Sequence, residues 1–143
     1  MSEDRATILT VIIKDQYAAS GITGDIIGAA MEAHNRLGPG FLESVYEEAL
    51  AVELKLKQIV FERQKELPVV YRGNIIKTFV CDFLVGKEVI VEIKAIRSLG
   101  EIEQVQLTSY LKASGIEIGL LLNFGSRSLD FKRMIYSKKS VFN

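Results

Sequence analysis

The sequence predicts an α/β fold in which helices pack on the faces of a central mixed sheet. Three observations carry this. Two stretches before residue 57 repeat apolar residues at helical spacing. Between residues 59 and 96, segments rich in β-branched and aromatic residues are separated by short turns. A third helical stretch then leads into Ile118-Gly119-Leu120-Leu121-Leu122, a near-continuous apolar run of the kind found in strands buried on both faces. A helix ahead of such a strand is the crossover that delivers it parallel to its neighbour.

Taken in order, residues 1–21 read as a lead-in segment and residues 22–143 as the folded domain. Thr7 to Ile13 is rich in β-branched residues and fits a strand, a turn of helix or an arm onto a partner. Thr23 can cap a first helix whose apolar positions Ile26, Ile27, Ala30, Met31, His34 and Leu37 share a face, and Gly38-Pro39-Gly40 ends it. A second helix follows from about Leu42 to Lys57, with Glu43 in its first turn, where the helix dipole favours an acid. Ile59 to Arg63, Leu67 to Tyr71, Ile75 to Val85 and Glu88 to Ile96 read as successive strands, with Arg72-Gly73-Asn74 turning between the second and third. A third helix covers about Ile102 to Ala113 and ends at Gly115. Glu117 to Phe124 is the buried parallel strand, and Leu129 to Tyr136 a last edge strand, followed by a basic tail with Lys138 and Lys139.

Composition bounds the function. Hydrophobic residues are 48% and charged residues 25% of the chain, an ordinary globular balance. Lys+Arg and Asp+Glu are both 18, so no basic excess marks a nonspecific coat on nucleic acid, although a cleft can be locally basic. One cysteine, Cys81, and one histidine, His34, exclude an internal disulfide and a zinc site built from Cys and His. Cys81 reads as a small core residue of a reducing compartment. His34 reads as a partly buried side chain bracing the Gly38-Pro39-Gly40 turn. No signal-peptide pattern opens the chain and no apolar run approaches the roughly 18 residues of a membrane span. The expected location is therefore cytoplasmic.

The chemistry concentrates in Asp82 to Lys94, which reads Asp-Phe-Leu-Val-Gly-Lys-Glu-Val-Ile-Val-Glu-Ile-Lys. Side chains alternate along a strand, so Glu92 and Lys94 point the same way. Charged residues alternating with Val and Ile also describe a solvated strand face. Register separates the two readings. A two-residue turn at Gly86-Lys87 would set Asp82 across from Val91, facing away from Glu92. A three-residue loop, Gly86-Lys87-Glu88, would pair Asp82 with Glu92 on one face. Two carboxylates and an ammonium brought together would suit a hard divalent cation and the water it activates.

This order of features resembles the PD-(D/E)XK nuclease superfamily, in which the chain is similar to the GxxExxY group. The group's motif stands as Gly40-Phe41-Leu42-Glu43-Ser44-Val45-Tyr46, preceded by His34-Asn35-Arg36-Leu37-Gly38-Pro39. Asp82, Glu92-Ile93-Lys94 and the pair Gln106 and Tyr110 follow in the superfamily's order, over roughly residues 22 to 136. Val80-Cys81 replace the proline of the superfamily's name.

The resemblance implies a restriction-endonuclease-like, three-layer α/β/α fold and a Mg²⁺- or Mn²⁺-dependent nuclease whose partner is nucleic acid, DNA in the first instance. It implies Asp82 and Glu92 as metal-binding acids, the Ile93 carbonyl as a further ligand, and Lys94 to orient water or neutralise charge on the phosphate. Glu43 would join the metal shell directly or through water, and Gln106 would contact the site or the nucleic-acid backbone. Tyr46 and Tyr110 fit either a site role or a wedge between helix and sheet. Pairing of two copies as a homodimer, to cut two strands, is compatible with this. The alternatives are a non-catalytic module that binds nucleic acid or protein on a nuclease fold, and a metal-dependent hydrolase of small phosphorylated metabolites.

Overall fold

The computed structural model describes residues 6–13 and 21–140. The rest of the lead-in segment, residues 1–5 and 14–20, and the side chains of Lys138 and Lys139 lie outside what is described. The described elements are β1 (Ala6–Ile13), α1 (Gly21–Leu37), α2 (Glu43–Leu56), β2 (Phe61–Tyr71), β3 (Asn74–Val85), β4 (Val89–Lys94), α3 (Glu101–Ser114), β5 (Ile118–Asn123) and β6 (Asp130–Ser140). They form a six-stranded sheet in the order β1-β6-β5-β4-β3-β2. Only β4 and β5 pair in parallel, joined by the α3 crossover; every other pair is antiparallel.

Two cores sandwich the sheet. On one face α1 and α2 bury Ile26, Ala30, Tyr46, Leu50 and Leu54 against Phe83, Val91, Ile93, Leu120 and Leu122. On the other, Leu107 and Leu111 of α3 pack on Cys81, Leu84, Ile90, Leu121 and Met134. The central strands are apolar on both faces because both faces are covered. The expected three-layer α/β/α architecture is the one that forms.

Three local expectations change. The segments Ile59 to Arg63 and Leu67 to Tyr71 are one strand, because β3 pairs with it on both sides of Gln64; Lys65 and Glu66 stay in the ladder and Gln64 interrupts it. Leu129 to Tyr136 is not an edge, since β1 pairs antiparallel with β6 from Ala6↔Ser140 to Ile13↔Arg133. α1 begins at Gly21, so Thr23 is a buried residue inside the first turn rather than its cap. The turn between β2 and β3 forms where expected but is shorter, Arg72-Gly73 alone with Asn74 paired to Tyr71; its φ values of 50° and 81° are both positive, as the tightest hairpin turns require.

Candidate active site

The β3–β4 register decides what faces what. Val85 pairs with Val89, Leu84 with Ile90 and Phe83 with Val91, so Gly86-Lys87-Glu88 is a three-residue loop. Gly86 and Lys87 adopt φ of 60° and 59°, and the Glu88 N–H closes the loop on the Val85 carbonyl at 3.0 Å. Extending this register sets Asp82 opposite Glu92. There the backbone ladder stops and side chains take over. The Asp82 N–H donates to Glu92 Oε2 at 3.0 Å, and the Ile93 N–H donates to Asp82 Oδ2 at 2.7 Å. Each carboxylate thus satisfies a backbone donor on the other's strand, as buried donors require.

The strand geometry at this point is unusual. Cys81 belongs to the α3-side core and Phe83 to the α1/α2-side core, although residues two apart in a regular strand share a face. β3 therefore rotates at Asp82. On β4 the alternation is regular: Ile93 enters the α1/α2 core, while Glu92 and Lys94 face α3. Lys94 Nζ donates to Gln106 Oε1 at 3.2 Å, so the third helix reaches the site through Gln106. One turn on, Tyr110 stacks on Phe79 with ring centroids 3.9 Å apart.

Burial dominates the electrostatics. Glu92 is 7% exposed, and desolvation, reinforced by the Asp82 charge and more weakly by Glu43, pushes its carboxyl up to about 8. Asp82 is also raised, first by burial, although the Ile93 N–H counters this. The Cys81 thiol, buried beside both acids, is pushed up to about 12 and is an inert core group. Tyr110 is raised by burial and then by the charges of Glu92 and Asp82.

The structure brings together Asp82, Glu92, Ile93, Lys94 and Gln106. Glu43 stands apart: it is exposed in the first turn of α2 and acts on Glu92 through its charge. Tyr46 is a wedge. It is fully buried, stacks on Phe124 at 4.6 Å, and its hydroxyl donates to the Gly38 carbonyl at 2.6 Å while accepting from the Phe41 N–H at 3.2 Å. It is Tyr46 that braces the Gly38-Pro39-Gly40 turn with its side chain. His34 contributes its carbonyl to Gly38 at 2.7 Å, while its ring is bonded to the Ser126 carbonyl at 2.9 Å.

Three residues of the surroundings escaped the sequence reading. Glu47, one turn beyond Glu43 and on the same face, raises Asp82 and is held by Arg63 at 2.9 Å; its i+4 spacing from Glu43 was the available signal. Gln64 bonds Glu47 across the site's edge. Asn123, fully buried at the end of β5, receives the N–H groups of Ile96 and Gly125 and donates to the Ile96 carbonyl, all at 2.9–3.0 Å. It clamps the chain that leaves Lys94 to the chain that leaves β5. The two segments approach so closely that a Cβ at Gly125 would lie 2.3 Å from the Ile96 oxygen.

The donor set fits a hard divalent cation: two desolvated carboxylates that repel one another, with an ammonium alongside. Among the described residues no group of three or more His, Cys, Asp or Glu lies at metal-holding spacing. The chain would therefore offer Asp82 and Glu92 and leave other positions to water, as Mg²⁺ sites commonly do. A separate groove of about 460 Å³, lined by Val69, Val70, Lys112, Glu117 and Tyr136 among others, lies at the far end of α3 and includes none of the site residues.

An α/β/α sandwich with acids on adjacent central strands and a Glu-x-Lys on the second defines a nuclease-like class. The chain belongs to the PD-(D/E)XK nuclease superfamily, whose family model matches residues 20–134, and its fold is the restriction-endonuclease-like one. Searches of curated proteins and of solved structures find no match. Among the described residues no helix is long and apolar enough to cross a membrane.

Proposed function

We propose that the protein is a Mg²⁺- or Mn²⁺-dependent nuclease of the GxxExxY group that hydrolyses phosphodiester bonds of nucleic acid, DNA in the first instance. The observation that carries this reading is the reciprocal pairing of Asp82 and Glu92 beside Lys94. Keeping Glu92 buried with the partly desolvated Asp82 facing it would be costly without a function, several kcal/mol per unpaired ion. Asp82 and Glu92, with the Ile93 carbonyl, would hold the ion, and Glu43 would reach its shell through water. When bound, the ion supplies an activated water and charge stabilisation at the phosphoryl oxygens. Lys94, a donor with no acceptor capacity, orients that water or meets the charge developing on the phosphate. Gln106 keeps the ammonium at the mouth through its Oε1, and its exposed amide is placed to meet the nucleic-acid backbone.

The test is cleavage of a mixed panel of DNA and RNA by the purified protein with Mn²⁺ or Mg²⁺. Asp82→Ala and Lys94→Ala are each expected to abolish it, and undiminished cutting by both refutes the reading. The balanced count of 18 basic and 18 acidic residues favours a second reading, a non-catalytic binding module on this fold. Calorimetry separates them: a module that has lost its chemistry shows no Mn²⁺ binding that depends on Asp82 and Glu92.

A further inference from the structure

Gln64, across from Asp82 on the edge strand β2, differs from its neighbours in backbone and in partners. Its φ is 50°, the left-handed region that residues with a side chain seldom adopt within a strand. The register pairs Arg63 with Phe83 and Lys65 with Cys81, which leaves Gln64 and Asp82 facing each other where the ladder is irregular. This is also the point at which β3 rotates from one core to the other. The Gln64 amide donates to both oxygens of Glu47, at 3.1 Å each, and it lowers the Asp82 carboxyl that burial and the Glu47 charge raise.

The side-chain chemistry matches the position. A primary amide offers two N–H donors without net charge, so it can brace two neighbouring carboxylates apart while leaving their negative charge available to a cation. A lysine at the same place would neutralise them. The adjacent Arg63 supplies the charge, reaching Glu47 at 2.9 Å and Glu48 at 2.6 Å. Glu47 is thereby held on its part-buried side by a cation and on its exposed side by a neutral donor, while Asp82 is anchored by the Ile93 N–H.

We propose that Gln64 is a positioning residue: its left-handed backbone sets the amide against Glu47 and opposite Asp82, bracing the two carboxylates apart so that Asp82 stays oriented for the ion and for Glu92. This rests on the metal-dependent reading of the site. Outer partners that orient metal-binding carboxylates are commonly worth a factor of 10–100 in affinity.

Two variants separate positioning from fold support. Gln64→Gly removes the amide but suits the left-handed backbone, and Gln64→Met keeps the reach without a donor. Calorimetry with Mn²⁺ is expected to show binding weakened roughly tenfold or more in both variants, with the Tm of Gln64→Gly equal to or above that of the unaltered protein. In the cleavage assay kcat falls while KM changes little. Affinity within about twofold of the unaltered protein in both variants overturns the proposal, while Mn²⁺ binding that Asp82→Ala abolishes leaves the metal reading standing. A loss of affinity that merely tracks a fall in Tm in both variants assigns Gln64 to fold support and also overturns it. Absence of Mn²⁺ binding in the unaltered protein overturns the proposal together with the reading beneath it.

Discussion

The β3–β4 hairpin has two halves built on opposite principles. From the loop to Phe83 and Val91 it is a regular ladder whose side chains are buried in two apolar cores. From Asp82 and Glu92 onward the ladder gives way to carboxylates that accept the backbone N–H groups. The first half resembles any central sheet, where apolar burial stabilises by about 25 cal/mol per Å². The second keeps two acids desolvated at a cost to stability, and groups kept in such conditions cluster at functional sites. The contrast teaches that the apolar half serves as the anchor for the charged half: without the ladder up to Phe83 nothing would hold two repelling carboxylates face to face.

The comparison can be broken most severely by moving the register. Deleting Lys87 leaves a two-residue loop, turns Asp82 away from Glu92, and is expected to abolish Mn²⁺ binding in calorimetry and cleavage together. Single removals at the charged half should divide function from stability. Asp82→Ala or Lys94→Ala lowers cleavage by on the order of a hundredfold or more, while thermal denaturation shows little loss.

Phe83→Ala tests the other half. It empties a fully buried position and is expected to cost about 3–5 kcal/mol in denaturant titration. If Phe83→Ala cost less stability than Asp82→Ala, the division between the halves would fail.

The smallest effect is read through pH. Glu92 ionises near 8 in the folded protein instead of at its ordinary 4.5. Between these values the folded state holds a proton that the unfolded chain has released. The associated stability is complete below 4.5 and is lost as pH rises through about 8. In metal-free buffer Glu92→Gln, which cannot ionise, should therefore gain Tm relative to the unaltered protein as pH is raised across this window. A Tm difference independent of pH would show that Glu92 is not desolvated. Mn²⁺ affinity has the opposite slope, strengthening as pH rises toward 8 because binding releases the Glu92 proton.

Much of the architecture was legible from local signals. Apolar spacing in α1 and α2, the Gly115 stop after α3 and the apolar run of β5 each reflect a periodicity or a cap that acts over a few residues. The approach of Asp82, Glu92 and Lys94 was also within reach, once strand alternation and the odd loop were put together, while Gln106 came from the family resemblance. For Glu47 the i+4 spacing from Glu43 was the one local signal, and for Gln64 and Asn123 there was none. Their partners lie 17 residues from Gln64 and 27 residues from Asn123. Tyr46 and His34 show the same limit: the turn they brace was read correctly, but the division of labour between ring and hydroxyl depended on where Phe124 and Ser126 arrive.

By itself the sequence determined the fold class, the order of most elements and the face shared by Glu92 and Lys94, because these follow from the 3.6- and 2-residue periods of the backbone. The tertiary structure alone decided that β1 closes the β6 edge, that β2 continues past its polar centre as one strand, and that β3 rotates at Asp82 opposite a left-handed Gln64. Those outcomes rest on long-range pairing and on the competition between two cores for neighbouring side chains, and no local pattern encodes which core prevails.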